Sequence, residues 1–396
     1  MLHTLTKYKS INLLSDSLST AFKTSFKLEK LGLYTLICLG SVGLADPAMA
    51  FNVFKDANNT FSVSGRFAYE YDFNAAGNNH DAHGNSGSRI NIAYDHHFDN
   101  GWIAFGRWEE GFDPFYSTSH GDNHFNRYRY LGISHPTYGA LSIGRQNSLL
   151  YDFVDVFTDQ PWLYADYTET AWSGNDLDGM IERPSDTIKY IVNVDKFTLG
   201  ALYGRQRGDI HHTNDYSLDH NPVAARSLTY GSQRKEFEEV GGQYHFTHDL
   251  TMGATYHHAR IKGSDLAGYR QYNVNAWNTG INWTPGNWFF GADFGQGDHA
   301  TGPHSKTNNY AAFAAYTQPG LFGEFGDGQL YYDYNLQTDQ HSKAKVERNI
   351  LGIAAMLFQN QLILAVDHMW YNDRETDNAK EPNNHTSTGL YVRYNF

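Results

Sequence analysis

The stretch FSVSGRFAYEYDF, residues 61–73, sets Phe61, Val63, Gly65, Phe67, Tyr69, Tyr71 and Phe73 on one side and Ser62, Ser64, Arg66, Ala68, Glu70 and Asp72 on the other. A period of two this strict marks an extended strand with one apolar and one polar face. The rhythm recurs along the chain. Leu250, Met252, Ala254 and Tyr256 alternate with Thr251, Gly253 and Thr255, and Trp288, Phe290, Ala292 and Phe294 with Phe289, Gly291 and Asp293. Leu330, Tyr332, Tyr334 and Leu336 alternate with Tyr331, Asp333 and Asn335. Sixteen strands are predicted, near 61–73, 88–98, 101–110, 127–135, 140–146, 186–194, 196–205, 235–246, 250–261, 270–283, 287–296, 308–317, 327–338, 347–358, 361–372 and 387–396. Short turns such as Asp99-Asn100-Gly101, Asp195-Lys196 and Pro285-Gly286-Asn287 join pairs of strands, and long polar stretches separate the pairs. Seven short turns, eight long loops and an even strand count predict an all-β fold, a 16-stranded antiparallel transmembrane β-barrel. Strands of roughly 9 to 11 residues cross a bilayer when tilted, and closure satisfies every backbone group in lipid.

Composition agrees. The 396 residues are 15% aromatic and carry a net charge of −13, with a mean hydropathy of −0.57. A soluble domain this aromatic would add many Leu and Ile in a central core, whereas this chain is polar between its aromatics. A soluble β-sandwich also alternates, but it would bury Leu, Ile and Val, and here Tyr and Trp crowd the strand ends like a girdle. The run Ile350 to Val366 reads as a hairpin rather than a buried helix, because Gln359-Asn360-Gln361 interrupts it. The acidic balance argues against nucleic acid as a partner, since phosphate neutralisation needs clustered Lys and Arg. Past Phe51 no apolar run of eighteen residues exists, which excludes a helical membrane protein.

The first fifty residues differ. Lys7, Lys9, Lys23, Lys27 and Lys30 precede an apolar run from Leu31 to Leu44, and Ala48-Met49-Ala50 places small residues at −3 and −1. Residues 1–50 are expected to be a cleaved secretory signal with a long n-region, and 51–396 the barrel domain. Cys38, the single cysteine, falls in the signal, so the mature chain is expected to hold no disulfide and no Cys-based metal site. Removing the signal takes away five bases and three acids, leaving 25 basic and 40 acidic residues, a formal charge of −15.

Catalytic chemistry is not nominated. The pairs His96-His97, His211-His212 and His257-His258 point apart on strands or loops, without the spacing of a zinc motif. No nucleophile elbow or phosphate-cradling loop is present, so neither enzyme activity nor a cofactor is expected.

If the aromatics face lipid, Arg66, Arg89, Arg107, Arg127 and Arg129 project inward from the first four strands, since a lipid-facing Arg costs roughly 2 to 4 kcal/mol at the midplane; the alternative is that they are scattered, solvated charges. The longest connection, 147–185, carries eight acids (Asp152, Asp155, Asp159, Asp166, Glu169, Asp176, Asp178, Glu182) and one base, Arg183. A loop this long is functional or disordered, and its seven aromatics favour a packed one.

On the last strand Leu390, Val392, Tyr394 and Phe396 share one face. That ending resembles the terminal strand of Gram-negative outer-membrane porins, which the barrel-assembly machinery reads, so Tyr394 and Phe396 are the expected assembly signal. The first half is similar to the trimeric general porins of enteric bacteria. Ser64-Gly65-Arg66 resembles their first-strand Gly-Lys step, Ser88-Arg89-Ile90 their second-strand Arg, Gly106-Arg107-Trp108-Glu109 their Gly-Gln-Trp-Glu, and Asn126-Arg127-Tyr128-Arg129 their Asn-Lys-Thr-Arg. Gly144-Arg145-Gln146-Asn147, then Tyr151-Asp152 and Thr158-Asp159, resembles the run into their third loop, and Arg183 falls where they carry a further pore Arg. One departure stands out. Their Pro-Glu-Phe-Gly-Gly at the loop tip is here Pro161-Trp162-Leu163-Tyr164, so Asp166 and Glu169 replace the family Glu by proximity only.

The resemblance implies a third loop folded into the pore, with Asp159, Asp166 and Glu169 facing the wall of Arg66, Arg89, Arg107, Arg127, Arg129 and Arg183. It implies a homotrimer among outer-membrane lipids and lipopolysaccharide, with the connection from Gly111 to Asn126 placed to latch onto a neighbour. The function so implied is passive diffusion of small hydrophilic solutes and ions. Acidic surplus at the mouths predicts modest cation selectivity. A substrate-specific channel or a barrel adhesin is the alternative, and a barrel protease or phospholipase is disfavoured because no nucleophile and base are nominated.

Overall fold

The computed structural model describes residues 51–75, 80–84, 87–114, 124–163, 182–205, 233–262, 272–299, 305–341, 343–373 and 383–396. The strands are β1 (Phe51–Lys55), β2 (Asn59–Ala75), β3 (His80–Gly84), β4 (Arg89–His97), β5 (Ile103–Phe112), β6 (His124–His135), β7 (Gly139–Arg145), β8 (Thr187–Val194), β9 (Phe197–Gly204), β10 (Gln233–His245), β11 (Leu250–Lys262), β12 (Tyr272–Trp283), β13 (Trp288–Asp298), β14 (Lys306–Gln318), β15 (Gly326–Asp339), β16 (Lys345–Leu357), β17 (Leu362–Asp373) and β18 (Asn383–Asn395). Helix α1 (Leu149–Phe153) and a 3-10 turn (Asp155–Phe157) lie between β7 and β8.

Every long strand pairs antiparallel with its neighbours. The sheet closes on itself where β18 pairs β2, from Thr388↔Phe73 to Asn395↔Arg66. β1 pairs the same edge of β2 lower down, Phe51↔Val63 to Lys55↔Thr60, and so extends the line of β18. β3 hairpins onto the upper part of β2, while β4 pairs its lower part. Discounting these two short pieces, the described residues form a closed barrel of sixteen spanning strands, each at a position the alternation predicts. β1 and β3 are additions that a five-residue stretch is too short to announce.

Polarity is inside-out. Leu131, Ile133, Ile188, Val240, Leu330 and Ile353 are exposed on the outer face, while Ser142, Asn278, Asn309, Asp333, Gln337 and Asp367 are buried on the inner one. Near the short turns aromatic rings pack along the outer rim, Phe290 stacked with Trp283 and Trp288, Tyr316 tilted against Trp288, and Tyr244 packed between Phe197 and Phe246. The two-residue turn Asp195-Lys196 demands a left-handed backbone, and Asp195 (φ 53°) supplies it with a side chain that tolerates it.

The apolar core sits inside the barrel, where the segment after β7 packs on the wall. Leu149, Leu150, Phe153 and Val154 pack with Leu202, Phe237, Ala259, Val274 and Ala276, each large side chain contributing about 1.5 to 3 kcal/mol by leaving water. Further on, Leu163 joins a second cluster with Phe313, Tyr331, Ile350, Met369 and Tyr391.

Candidate functional site

Ser148 caps α1, its hydroxyl accepting the Tyr151 N–H (3.2 Å). The capped turn starts a segment that crosses the interior from β7 toward β18, held to successive strands. At β8, Lys189 Nζ donates to Asp152 Oδ2 (2.8 Å) and to the Asn147 carbonyl (3.1 Å). Asp152 lies off the strands in α1, where burial holds its carboxyl above the usual carboxylate range against the opposing pull of Lys189 and the Asn147 amide. At β10, Glu239 accepts the Leu149 N–H (2.5 Å) and bonds His257 Nδ1 of β11 (2.9 Å). At β13 the Thr158 hydroxyl donates to Asp293 (2.5 Å). At β15 and β17, Trp162 Nε1 donates to Gln329 Oε1 (2.9 Å) and the Leu163 N–H to Asp367 (3.2 Å), which also accepts from the Tyr331 hydroxyl. The neck is closed by Ser148 N–H donating to the Glu182 carbonyl (2.7 Å).

Glycines make the seat. A Cβ added at Gly253 would stand 1.8 Å from the Phe153 carbonyl oxygen, and one at Gly291 would stand 1.7 Å from that of Phe157. Backbone meets backbone here, so only a residue without a side chain fits.

Across the interior from this segment stands a charged network on β2, β4, β5 and β6. Glu109, buried, accepts from Arg127 Nε (2.5 Å), Arg89 Nη1 (3.4 Å) and Asn91 Nδ2 (3.2 Å). Arg66 and Arg89 both donate Nε to the Gly87 carbonyl, at 2.8 and 3.0 Å. Gly87 has φ 76°, and a Cβ there would fall 2.8 Å from Arg66 Nη2 and 2.9 Å from Arg89 Nη2, so this glycine sets the spacing of the two guanidiniums. Arg183 pairs with Glu182, and its guanidinium and that of Arg127 lie over the Tyr128 ring, at 5.7 and 5.9 Å.

The structure thus brings Arg66, Arg89, Arg127 and Arg183 together and treats the other expected residues differently. Arg107 points inward but pairs with Asp95 (2.8 Å) nearer the short-turn end. Arg129 is on the outer face, a correction to the inward placement read from the sequence. In β6, Tyr128 pairs Glu109 and Asn126 pairs Glu110, leaving Arg127 as a bulge. The extra residue turns Arg127 and Tyr128 inward and sends Arg129 outward with Leu131 and Ile133. There it pairs with Glu110 (2.9 Å), its side chain 50% exposed.

Asp159 is half-buried and accepts the Tyr151 hydroxyl (2.8 Å). Asp166 and Glu169 lie outside the described residues. Tyr394 points outward, and Phe396 exchanges backbone hydrogen bonds with Gly65 (2.9 and 3.0 Å), its ring 5.6 Å from that of Phe67. Glu109, Gly87, Trp162 and Arg393, whose guanidinium lies 4.7 Å from the Trp162 centroid, are site residues that sequence reasoning left without a role. The one available signal for Glu109 was its place on the polar face of a strand bearing Arg107.

A family model described as Gram-negative porin matches residues 36–396. The chain belongs to the Gram-negative porin family. As such a porin it is a multi-pass β-barrel of the outer membrane and forms a channel there. OmpF of Salmonella typhi, solved with daunomycin, superposes at a TM-score of 0.64 with 15% identity, covering 87% of this porin and 100% of that chain. An anion-selective porin from Comamonas acidovorans gives 0.61, with 15% identity over 85% of this chain and 100% of its own. OmpT of Vibrio cholerae, in trimer form, gives 0.55, with 14% identity over 86% and 100%. At these identities the likeness carries the fold alone. A search of curated protein sequences gave no match.

Proposed function

We propose that this porin is a passive diffusion channel for small hydrophilic solutes and ions, modestly cation-selective, without enzymatic activity, and working as a homotrimer after removal of residues 1–50. The observation that carries the reading is the interior segment 147–163, seated on β8–β17 and facing the Arg66–Arg89–Arg127–Glu109 network. A barrel narrowed from one side by a packed segment and lined on the other by fixed charge sorts solutes by size and charge.

The sign of the selectivity follows from where the charges stand. Glu109 and Glu182 offset two of the four network arginines, Lys189 offsets Asp152, and the segment's own Asp155 and Asp159 count against the other two, so the fixed charges near the narrowing largely balance. The acidic surplus of the mature chain then concentrates cations at the mouths, an effect that salt screens over about 8 Å at physiological strength.

The homotrimer has its own support. Arg129 and Glu110 form an ion pair on the outward face, where hydrocarbon exposure is costly and a neighbouring copy would cover it. Lipids and lipopolysaccharide surround the remaining apolar face, and the barrel-assembly machinery reads the strand ending in Tyr394 and Phe396.

Planar-bilayer recording tests the reading. Purified protein should give stable ohmic steps, and its reversal potential in a KCl gradient should show cation preference that shrinks as salt rises. Absence of conductance would overturn the channel, and anion preference would overturn the selectivity.

A further inference from the structure

Pro161-Trp162-Leu163, the last described residues before the connection resumes at Glu182, pack on the far wall. Trp162 is held there three ways. Its Nε1 donates to Gln329 (2.9 Å), its backbone N–H donates to the Tyr331 hydroxyl (3.5 Å), and the Arg393 guanidinium lies over its ring at 4.7 Å. The indole also packs against the apolar cluster that contains Leu163, Phe313 and Tyr331. Arg393 sits on β18, opposite Ala68 of β2 across the seam of the barrel. Its side chain faces the interior, as does Tyr391, while Tyr394 faces out. It stands within electrostatic reach of Arg66. The Trp162–Arg393 contact is therefore the place where the segment, having crossed the interior, meets the strand that borders the arginine network. A planar guanidinium stacked on an indole is a directional contact that neither a lysine nor an aliphatic residue reproduces in full.

We propose that Trp162 and Arg393 are positioning residues that set the width of the constriction: the pair clasps the interior segment to β18 and so fixes how far residues 147–163 stand from Arg66, Arg89 and Arg127. Where related porins carry Pro-Glu-Phe-Gly-Gly, this sequence reads Pro161-Trp162-Leu163-Tyr164, and the Trp162 ring stands against Arg393.

The inference rests on the channel reading above, and one set of measurements separates the two. The processed full-length protein and its variants W162A, W162F, R393Q and W162A/R393Q are compared by single-channel conductance and by swelling of liposomes in neutral sugars of increasing size. Neutral sugars report width, which the loss of a charge alone does not change. W162A and R393Q should each raise the conductance and admit larger sugars. The double variant should do no more than either single one, because the two residues form one contact. W162F keeps a ring face and should stay near wild type. No conductance from wild type would overturn the channel reading and this inference with it. A conducting wild type with unchanged sugar cut-offs in R393Q, or effects that add in the double variant, would overturn the clasp alone. Should W162A fail to show the heat-modifiable gel mobility of a folded barrel, R393Q and W162F decide: a wild-type cut-off in R393Q overturns the proposal.

Discussion

Lys189 and Asp152 form an ion pair that is almost wholly buried, with side chains 2% and 0% exposed. Two charges taken out of water recover little net free energy from each other, but removing one strands the other. Lys189→Met should therefore lower stability by roughly 3 to 5 kcal/mol, read as a fall in the denaturant midpoint, and Lys189→Met with Asp152→Leu should recover much of it. Arg89 and Arg129 make a second residue-scale test. Arg89→Ala removes an inward charge bound to Glu109, so it should strengthen cation preference in reversal potentials. Arg129→Ala, on the outer face, should leave the reversal potential unchanged. Strict alternation puts residues 127 and 129 on the same side, and the sequence reading followed that rule. One bulged residue breaks it, and a bulge leaves no local signature in Asn126-Arg127-Tyr128-Arg129. Arg66, Arg89 and Arg107 lie on strands whose alternation is unbroken around them, and their inward direction was legible.

At the scale of the element, the glycines of β11 and β13 serve the interior segment rather than their own strands. Gly291→Val would drive a side chain into the Phe157 carbonyl. Overpacking of this kind costs about 1 to 3 kcal/mol, and it is relieved most readily by lifting the segment off its seat. Higher conductance and a larger sugar cut-off are expected, with the barrel still heat-modifiable on gels. Unchanged conductance would show that the segment does not rely on β13. The sixteen strands were readable because alternation is local, each strand announcing itself over about ten residues. The seat was not, because a glycine in a strand looks the same whether it faces solvent or a carbonyl oxygen contributed by a residue a hundred or more positions away.

For the whole molecule, the proposed assembly makes two checkable statements. N-terminal sequencing of outer-membrane material should begin at Phe51, following the small residues Ala48 and Ala50; retention of the apolar run Leu31 to Leu44 would sink that reading. Unheated gel samples should migrate as an oligomer that heat dissociates, and Arg129→Ala should lower its dissociation temperature while leaving each channel's conductance alone. An oligomer indifferent to Arg129 would mean that another face makes the contact. Neither the oligomer nor its face could be read from the strand pattern, because an outward ion pair appears only once the bulge is seen.

The reach of the interior segment also fixes an order of events. Thr158 bonds to a residue 135 positions on, Trp162 to residues 167 and 169 positions on, and Leu163 to one 204 positions on. None of these partners exists in register until β13, β15 and β17 have joined the sheet. The narrowing of the pore therefore belongs to the last stage of folding, although the residues that make it precede β8–β18 in the chain. A barrel interrupted short of closure would be wide and unselective, and a cell that tolerates slow completion of this protein tolerates a transient leak.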